Sequence, residues 1–169
     1  DALGRILAAR GVDVSAAEAF LDPKLRDLLP DPSHLLDMDR AVERIVAAIN
    51  AGEKIGVFAD YDVDGACSGA LLAKFFGAIG RDVTVYVPDR IAEGYGPNTP
   101  ALMKLKDAGV SLVITVDCGT TAFAPLAAAA EAGLDVVVVD HHVAEPELPQ
   151  AVAVVNPNRL DETSPVGQL

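Results

Sequence analysis

The run Ile55-Gly56-Val57-Phe58-Ala59, followed at once by Asp60-Tyr61-Asp62-Val63-Asp64-Gly65, decides the fold. The first five residues are apolar without alternation, the pattern of a strand buried on both faces. Such strands belong to parallel sheets covered by helices. Gly65 permits a sharp turn into the apolar-rich residues 66–79, which read as a helix. Downstream, strand patterns recur at 83–87, Leu112–Val116, 136–139 and 152–155, with helical patterns at Thr99–Asp107 and 122–132. The expected fold is therefore α/β: a mostly parallel five-stranded sheet with helices on both faces and right-handed crossovers. Strand order is not readable from the pattern.

The hexapeptide also carries the first hint of chemistry. Three carboxylates at alternate positions repel one another unless a cation sits among them. Hard oxygen donors of this kind suit Mg²⁺ or Mn²⁺. A solvated acidic turn is the plain alternative, and for a lone Asp-x-Asp it is the better one. Position decides against it here. In open parallel sheets the functional site lies at the carboxyl ends of the strands. Asp60 follows the first strand, Asp117 of Asp117-Cys118-Gly119 follows Val116, and Asp140-His141-His142 follows Val139. All three clusters thus fall on one rim. Neighbouring histidines after a strand diverge, so one can ligate while the other reaches a substrate or an orienting partner. Carboxylates with a histidine describe a site for two divalent cations about 3.5–4 Å apart, with an aspartate between them, the arrangement used to cleave phosphate esters.

Two other readings of the hexapeptide fail. An EF-hand loop needs a glutamate at its twelfth position, where Leu71 stands, and a preceding helix rather than a strand. A haloacid-dehalogenase nucleophile motif needs threonine where Ala66 stands, and has no use for a histidine pair. Cys67 and Cys118 read as small packing residues, and His34 as a surface residue.

Upstream, residues 1–52 read as a helical N-terminal region packing on the core formed by 53–169. Ser15-Ala16-Ala17-Glu18 has capping-box spacing. Pro23, Pro30 and Pro32 mark 22–32 as a connector. Asp37 or Asp39 caps a following helix whose apolar face is Val42, Ile45, Val46 and Ile49, closed by Asn50-Ala51-Gly52. The sequence starts at Asp1 without Met and stops at Leu169 in a loop-like run, as a truncated fragment of a longer protein would.

Composition bounds the rest. With 51% hydrophobic and 22% charged residues over 169 positions, the chain is globular and not disordered. Thirteen Lys and Arg against 25 Asp and Glu give a net charge of −12, which argues against a broad phosphate-binding surface and suits cation binding or plain solubility. No apolar run is long enough to cross a bilayer, and there is no signal-type segment. Two cysteines cannot build a disulfide framework, so the expected compartment is the cytoplasm.

Phe58-Ala59-Asp60-Tyr61-Asp62-Val63-Asp64-Gly65, Asp117-Cys118-Gly119 and Asp140-His141-His142 together resemble the first three motifs of the DHH phosphoesterase superfamily. Asp37-Met38-Asp39, Arg90-Ile91-Ala92-Glu93-Gly94-Tyr95-Gly96 and Val155-Asn156-Pro157-Asn158 narrow the likeness to its RecJ-type single-strand-specific DNA exonucleases, and it covers nearly the whole chain. The resemblance implies a doubly wound fold and 5′→3′ hydrolysis of single-stranded DNA to 5′-mononucleotides in DNA repair and recombination. It implies two Mn²⁺ or Mg²⁺ ions as cofactors. Asp62 and Asp64 would each ligate one, Asp117 would bridge, His141 would complete a coordination sphere, and Asp60 and Asp140 would join the metal set. His142 would act on the scissile phosphate, and Arg90 and Tyr95 would line the substrate path.

The same resemblance implies a fourth metal-binding aspartate and substrate-binding domains downstream of Leu169, so that this piece alone would be weak or inactive. It implies single-stranded DNA as the partner, with a single-strand-binding protein and a helicase in the full-length protein. Within the superfamily, oligonucleotide or cyclic-dinucleotide phosphodiesterases and Mn²⁺-dependent pyrophosphatases carry a histidine a few positions before the Asp-x-Asp, where this chain has Phe58. A non-catalytic replication scaffold would have shed ligands that are all present here.

Overall fold

The computed structural model describes residues 1–24 and 29–164, and within it the chain divides into two compact units, Asp1–Asp31 and Pro32–Leu169. In the first unit, helix α1 (Ala2–Ala9) is capped by Asp1, whose carboxylate accepts from the Gly4 N–H at 2.6 Å. A short 3₁₀ turn at Val14–Ala16 leads into α2 (Ala17–Leu21). The capping box expected at Ser15 does not form. Asp13 takes the role instead, accepting from the Ser15 N–H at 3.1 Å, because an aspartate two residues ahead reaches the first free amide sooner. Part of the connector expected at 22–32 lies outside the described residues.

The second unit holds the sheet. Helix α3 (Met38–Ala51) precedes β1 (Ile55–Ala59), and then α4 (Val63–Ala78), β2 (Val83–Tyr86), α5 (Thr99–Asp107), β3 (Leu112–Val116), α6 (Phe123–Glu131), β4 (Asp135–Val139) and β5 (Ala153–Val155) follow. Every pairing is parallel, in the order β2-β1-β3-β4-β5. Because side chains alternate across a strand, the sheet serves two cores. Ile55, Val57 and Ala59 of β1, with Ile114, Val116 and Val137, pack against Ala41 and Ala48 of α3 and Phe76 of α4. On the other face Phe58, Val113, Val136, Val138 and Val154 meet Leu102 and Leu105 of α5 and Leu126 and Ala129 of α6. Each such fully buried Val, Ile, Leu or Phe contributes roughly 1.5–3 kcal/mol.

The second compact unit begins at Pro32, so α3 lies within it and belongs to the sheet's own core. The buried face of α3 differs from the expected one. Ala41 and Ala48 are buried, whereas Val42 and Val46 remain 49% and 46% exposed. Small residues let the helix lie close to the strands, Ile45 and Ile49 of the expected face pack half-buried against the same core, and Val42 and Val46 point away. Of the two candidate caps, Asp37 holds the N-cap position, but in a left-handed conformation (φ 61°) without a capping bond; its carboxylate serves the Val154 N–H and Arg159 instead.

Strand order reverses beside β1: the chain leaves β1 for β2 on one side and returns to β3 on the other. Such a switch point opens a crevice outside the carboxyl ends of the two strands. Asp60 and Asp117 stand on either side of it.

Candidate metal centre

Four neighbouring strands end on one rim, and each is followed directly by a polar residue: Asp60 after β1, Asp117 after β3, Asp140 after β4 and Asn156 after β5. All four are buried, with exposures of 2%, 6%, 6% and 0%. The sheet ladder runs one residue past the strands and fixes the aspartates in place. The Asp60 N–H donates to Val116 O (3.3 Å), the Asp117 N–H to Val139 O (3.0 Å) and the Asp140 N–H to Val155 O (3.0 Å).

Asp62 begins α4. Its Oδ1 accepts from the backbone N–H groups of Asp64 and Gly65, each at 3.0 Å. The helix therefore starts at Val63, three residues earlier than the sequence pattern suggested, and Gly65 sits inside its first turn rather than in a hinge. Glycine is required there for another reason: a Cβ would lie 2.4 Å from the Asp60 carbonyl oxygen. The Gly65 N–H, with the neighbouring Asp117 carboxyl as a second cause, holds the Asp62 carboxyl below the usual carboxylate range.

Asp117 adopts a left-handed backbone (φ 62°) in the tight turn completed by Gly119, which has φ 115°. Its Oδ1 lies 3.0 Å from His141 Nε2. Burial pushes the Asp117 carboxyl up to about 6, the nearby Asp62 adds to the rise, and His141 opposes it. Burial likewise raises Asp60. Two buried oxygens here, Asp60 Oδ1 and Asp117 Oδ2, have no hydrogen-bond partner among the described residues. A buried acceptor left unmatched is costly. These two are acceptors awaiting a positive group.

The donors form two overlapping sets. Asp60, Asp62 and Asp117 bring carboxylate oxygens within 4.8 Å of one another, and Asp117, His141 and His142 do the same with an oxygen and ring nitrogens. Asp117 belongs to both. Asp64 is outside these sets; it is exposed on the first turn of α4 and lines a cleft of about 320 Å³ with Ser68, Asp117, Asp140 and His141. Cys67, expected as a packing residue, is exposed and lines the same cleft, whereas Cys118 is buried in the core as expected.

Asp140 is also outside both sets, and its oxygens are already taken. Oδ1 accepts from the N–H groups of His141 (2.7 Å) and His142 (3.2 Å) and contacts His142 Nδ1 at 2.7 Å; Oδ2 accepts from the Thr120 N–H at 3.0 Å. Burial alone would raise its pKa, but His142 and Thr120 outweigh that and hold it below the usual range. In return Asp140 raises His142. Tyr95 reaches the site from the loop after β2, its hydroxyl 3.1 Å from both the Asp117 carbonyl oxygen and His142 Nδ1. Burial keeps that phenol protonated. Arg90 does not reach the carboxylates directly; its guanidinium lies 5.1 Å from the Tyr61 ring centroid.

Sequence reasoning missed Thr120 and Asn156 as parts of the site. Asn156 carried the same positional signal as the aspartates, a polar residue directly after a strand on the same rim.

Known proteins resemble this chain over nearly its whole length. The model of the DHH family, N-terminal domain, matches residues 54–168. The single-stranded-DNA-specific exonuclease RecJ of Bacillus subtilis is 41% identical over 165 residues, covering 97% of this chain and 21% of that protein. A crystal structure of exonuclease RecJ bound to manganese superposes with a TM-score of 0.69 at 32% identity, covering 83% of this chain and 36% of that one. A structure of RecJ from Thermus thermophilus in complex with Mn²⁺ gives a TM-score of 0.63 at 27% identity, covering 98% and 25%. The chain thus spans about a fifth to a quarter of the length of the curated relatives it matches.

Proposed function

This chain belongs to the DHH family, and from that premise we propose that it carries the catalytic centre of a metal-dependent exonuclease that hydrolyses single-stranded DNA from the 5′ end to 5′-mononucleotides. The observation that carries the reading is the sharing of Asp117 between two donor sets. Two buried carboxylate oxygens without partners add to it, since hard, unmatched oxygen donors fit Mn²⁺ or Mg²⁺.

In this reading Asp62, Asp64, Asp117 and His141 would hold two ions, Asp117 would serve both, and Asp60 would complete the acidic floor. When bound, they supply positive charge against the developing phosphoryl oxygens and lower the pKa of water. Asp140 acts behind them. By holding the His142 Nδ1 proton it leaves Nε2 as the nitrogen available for a phosphate oxygen, and by raising the imidazole's pKa it favours the charged form that a phosphate prefers. Tyr95, fixed on Asp117 and His142, and Arg90 border the path of the strand. The reading also assigns the protein to the cytoplasm and to DNA repair and recombination, with a single-strand-binding protein and a helicase presenting the substrate. Among the described residues no helix is long and apolar enough to cross a membrane.

The test compares the intact protein with Asp117→Ala, offering each 5′-ended single-stranded DNA, oligoribonucleotides and pyrophosphate with Mn²⁺. Loss of the shared carboxylate abolishes DNA hydrolysis in a folded protein. Unchanged degradation by the variant contradicts the assignment, and preference for oligoribonucleotides or pyrophosphate redirects it within the family.

A further inference from the structure

Both histidines of Asp140-His141-His142 are pinned through their backbones, and two asparagines that belong to no donor set do half of the pinning. The N–H groups of His141 and His142 both donate to Asp140 Oδ1. Their carbonyls are held from the other side: His142 O accepts from Asn156 Nδ2 at 2.9 Å, and His141 O accepts from Asn158 Nδ2. Asn156 is wholly buried and leaves nothing unmatched. Its second N–H donates to Thr120 Oγ1 at 2.8 Å, and its Oδ1 accepts from the Asn158 N–H at 2.7 Å. Thr120 passes the connection on, since its N–H donates to Asp140 Oδ2 at 3.0 Å.

We infer that Asn156 is a positioning residue for the histidine pair, and that it works through a relay from Asn156 to Thr120 to Asp140 to His142. The inference rests on the metal-centre reading above. Three features distinguish this relay from ordinary loop packing. It ties the end of β5 to the loop after β4 and the turn after β3, three segments far apart in sequence. It converges on the backbone of the only two histidines on the rim among the described residues. It also uses every donor of a buried amide, so an isosteric exchange has no harmless solution. Ligands whose orientation is fixed before a metal arrives lose less freedom on binding.

Asn156→Asp preserves shape but sets a carboxylate against the His142 carbonyl and removes the N–H that the Thr120 hydroxyl accepts, loosening the residue whose backbone N–H holds Asp140. Three quantities are read in the intact protein: Mn²⁺ affinity by calorimetry, amide hydrogen exchange at His141 and His142, and kcat against KM for single-stranded DNA. The expected result is a fall in Mn²⁺ affinity of roughly 10–100-fold, faster exchange at both amides, and a lower kcat with KM little changed. Arg44→Met is the control. It breaks the ion pairs to Glu53 and Asp135 at the opposite rim, and lowers stability without altering Mn²⁺ affinity.

Wild-type affinity and protection in Asn156→Asp overturns the inference, as does an equal loss of affinity in Arg44→Met at matched stability. Should Asn156→Asp fail to fold, Asn158→Ala decides. It frees only the His141 carbonyl and produces a smaller loss of the same kind, and its absence counts against the inference. A wild-type protein that binds no Mn²⁺ contradicts the metal-centre reading itself, while amide exchange still decides whether Asn156 pins the pair.

Discussion

At the amino ends of the strands, Glu53, Asp135 and Ser111 gather around Arg44. The guanidinium meets Glu53 Oε2 and Asp135 Oδ2, each at 2.6 Å, and the Ser111 hydroxyl donates to Glu53 Oε2 at the same distance. At the carboxyl ends, Asp60, Asp62 and Asp117 gather with no lysine or arginine in ion-pair distance among the described residues, and two of their oxygens are unmatched. One sheet therefore carries two clusters of acids with opposite internal balance. Arg44 holds Glu53 well below the usual carboxylate range, while burial drives Asp60 and Asp117 above it. The first cluster is complete as it stands. The second leaves two oxygens unmatched, which is why the proposed function places a cation there and the first reads as structure.

Mutations that treat the rims alike should separate them most. Asp62→Ala or Asp64→Ala removes several kcal/mol of transition-state stabilisation, roughly a thousandfold in DNA hydrolysis, with little loss of thermal stability. Glu53→Gln at the other rim should do the reverse, leaving turnover near wild type and costing about 1–3 kcal/mol in denaturant unfolding.

Gly65→Ala tests whether the acidic rim depends on close approach. Its Cβ meets the Asp60 carbonyl at 2.4 Å, so the first turn of α4 must shift. About 1–3 kcal/mol of stability should be lost, together with Mn²⁺ affinity. Wild-type affinity in that variant would mean that Asp60 and Asp62 need not be held so tightly.

Proton competition comes next. The Asp117 carboxyl is raised to about 6 in the folded, metal-free protein. Its protonated form is the stabilised one, so that contribution is present below the unfolded value near 3.8 and is lost as pH rises through about 6. Mn²⁺ needs the carboxylate, so affinity should fall by about tenfold per pH unit below 6 and level off above it, with protons released on binding. Calorimetry in buffers of different ionisation enthalpy measures both. The smallest effect is Asp60→Asn, which removes a buried charge that the metal-free protein cannot match. Melting in chelator should show a gain of about 1 kcal/mol, whereas the same change weakens the Mn²⁺-loaded protein.

How much of this was legible in the sequence follows from which forces leave a pattern. The strands were readable to within about one residue, because a parallel strand buried on both faces must be continuously apolar, as Leu112–Val116 is. The three acidic clusters were placed on one rim for the same reason. The start of α4 was not readable, since Asp62 caps it through backbone bonds that leave no periodicity and Gly65 looked like punctuation. The buried face of α3 was misread toward Val42 and Val46, because size and branching stand out in a sequence while the close packing of Ala41 and Ala48 does not. Direction was invisible too. Nothing in Asp140-His141-His142 tells whether the aspartate faces the crevice or turns back to hold the histidines, and its four hydrogen bonds turn it back. Asn156 was quoted for its likeness to a family and not for its position, although it follows β5 as the aspartates follow β1, β3 and β4.

In the proposed function Asp117 belongs to two cation sites at once. Anomalous diffraction from crystals of the intact protein grown with Mn²⁺ tests it directly. Two peaks on the carboxyl rim, both within coordinating distance of the Asp117 carboxylate and both lost in Asp117→Ala, are the predicted result. A single peak, or peaks that leave Asp117 uncoordinated, would contradict the account.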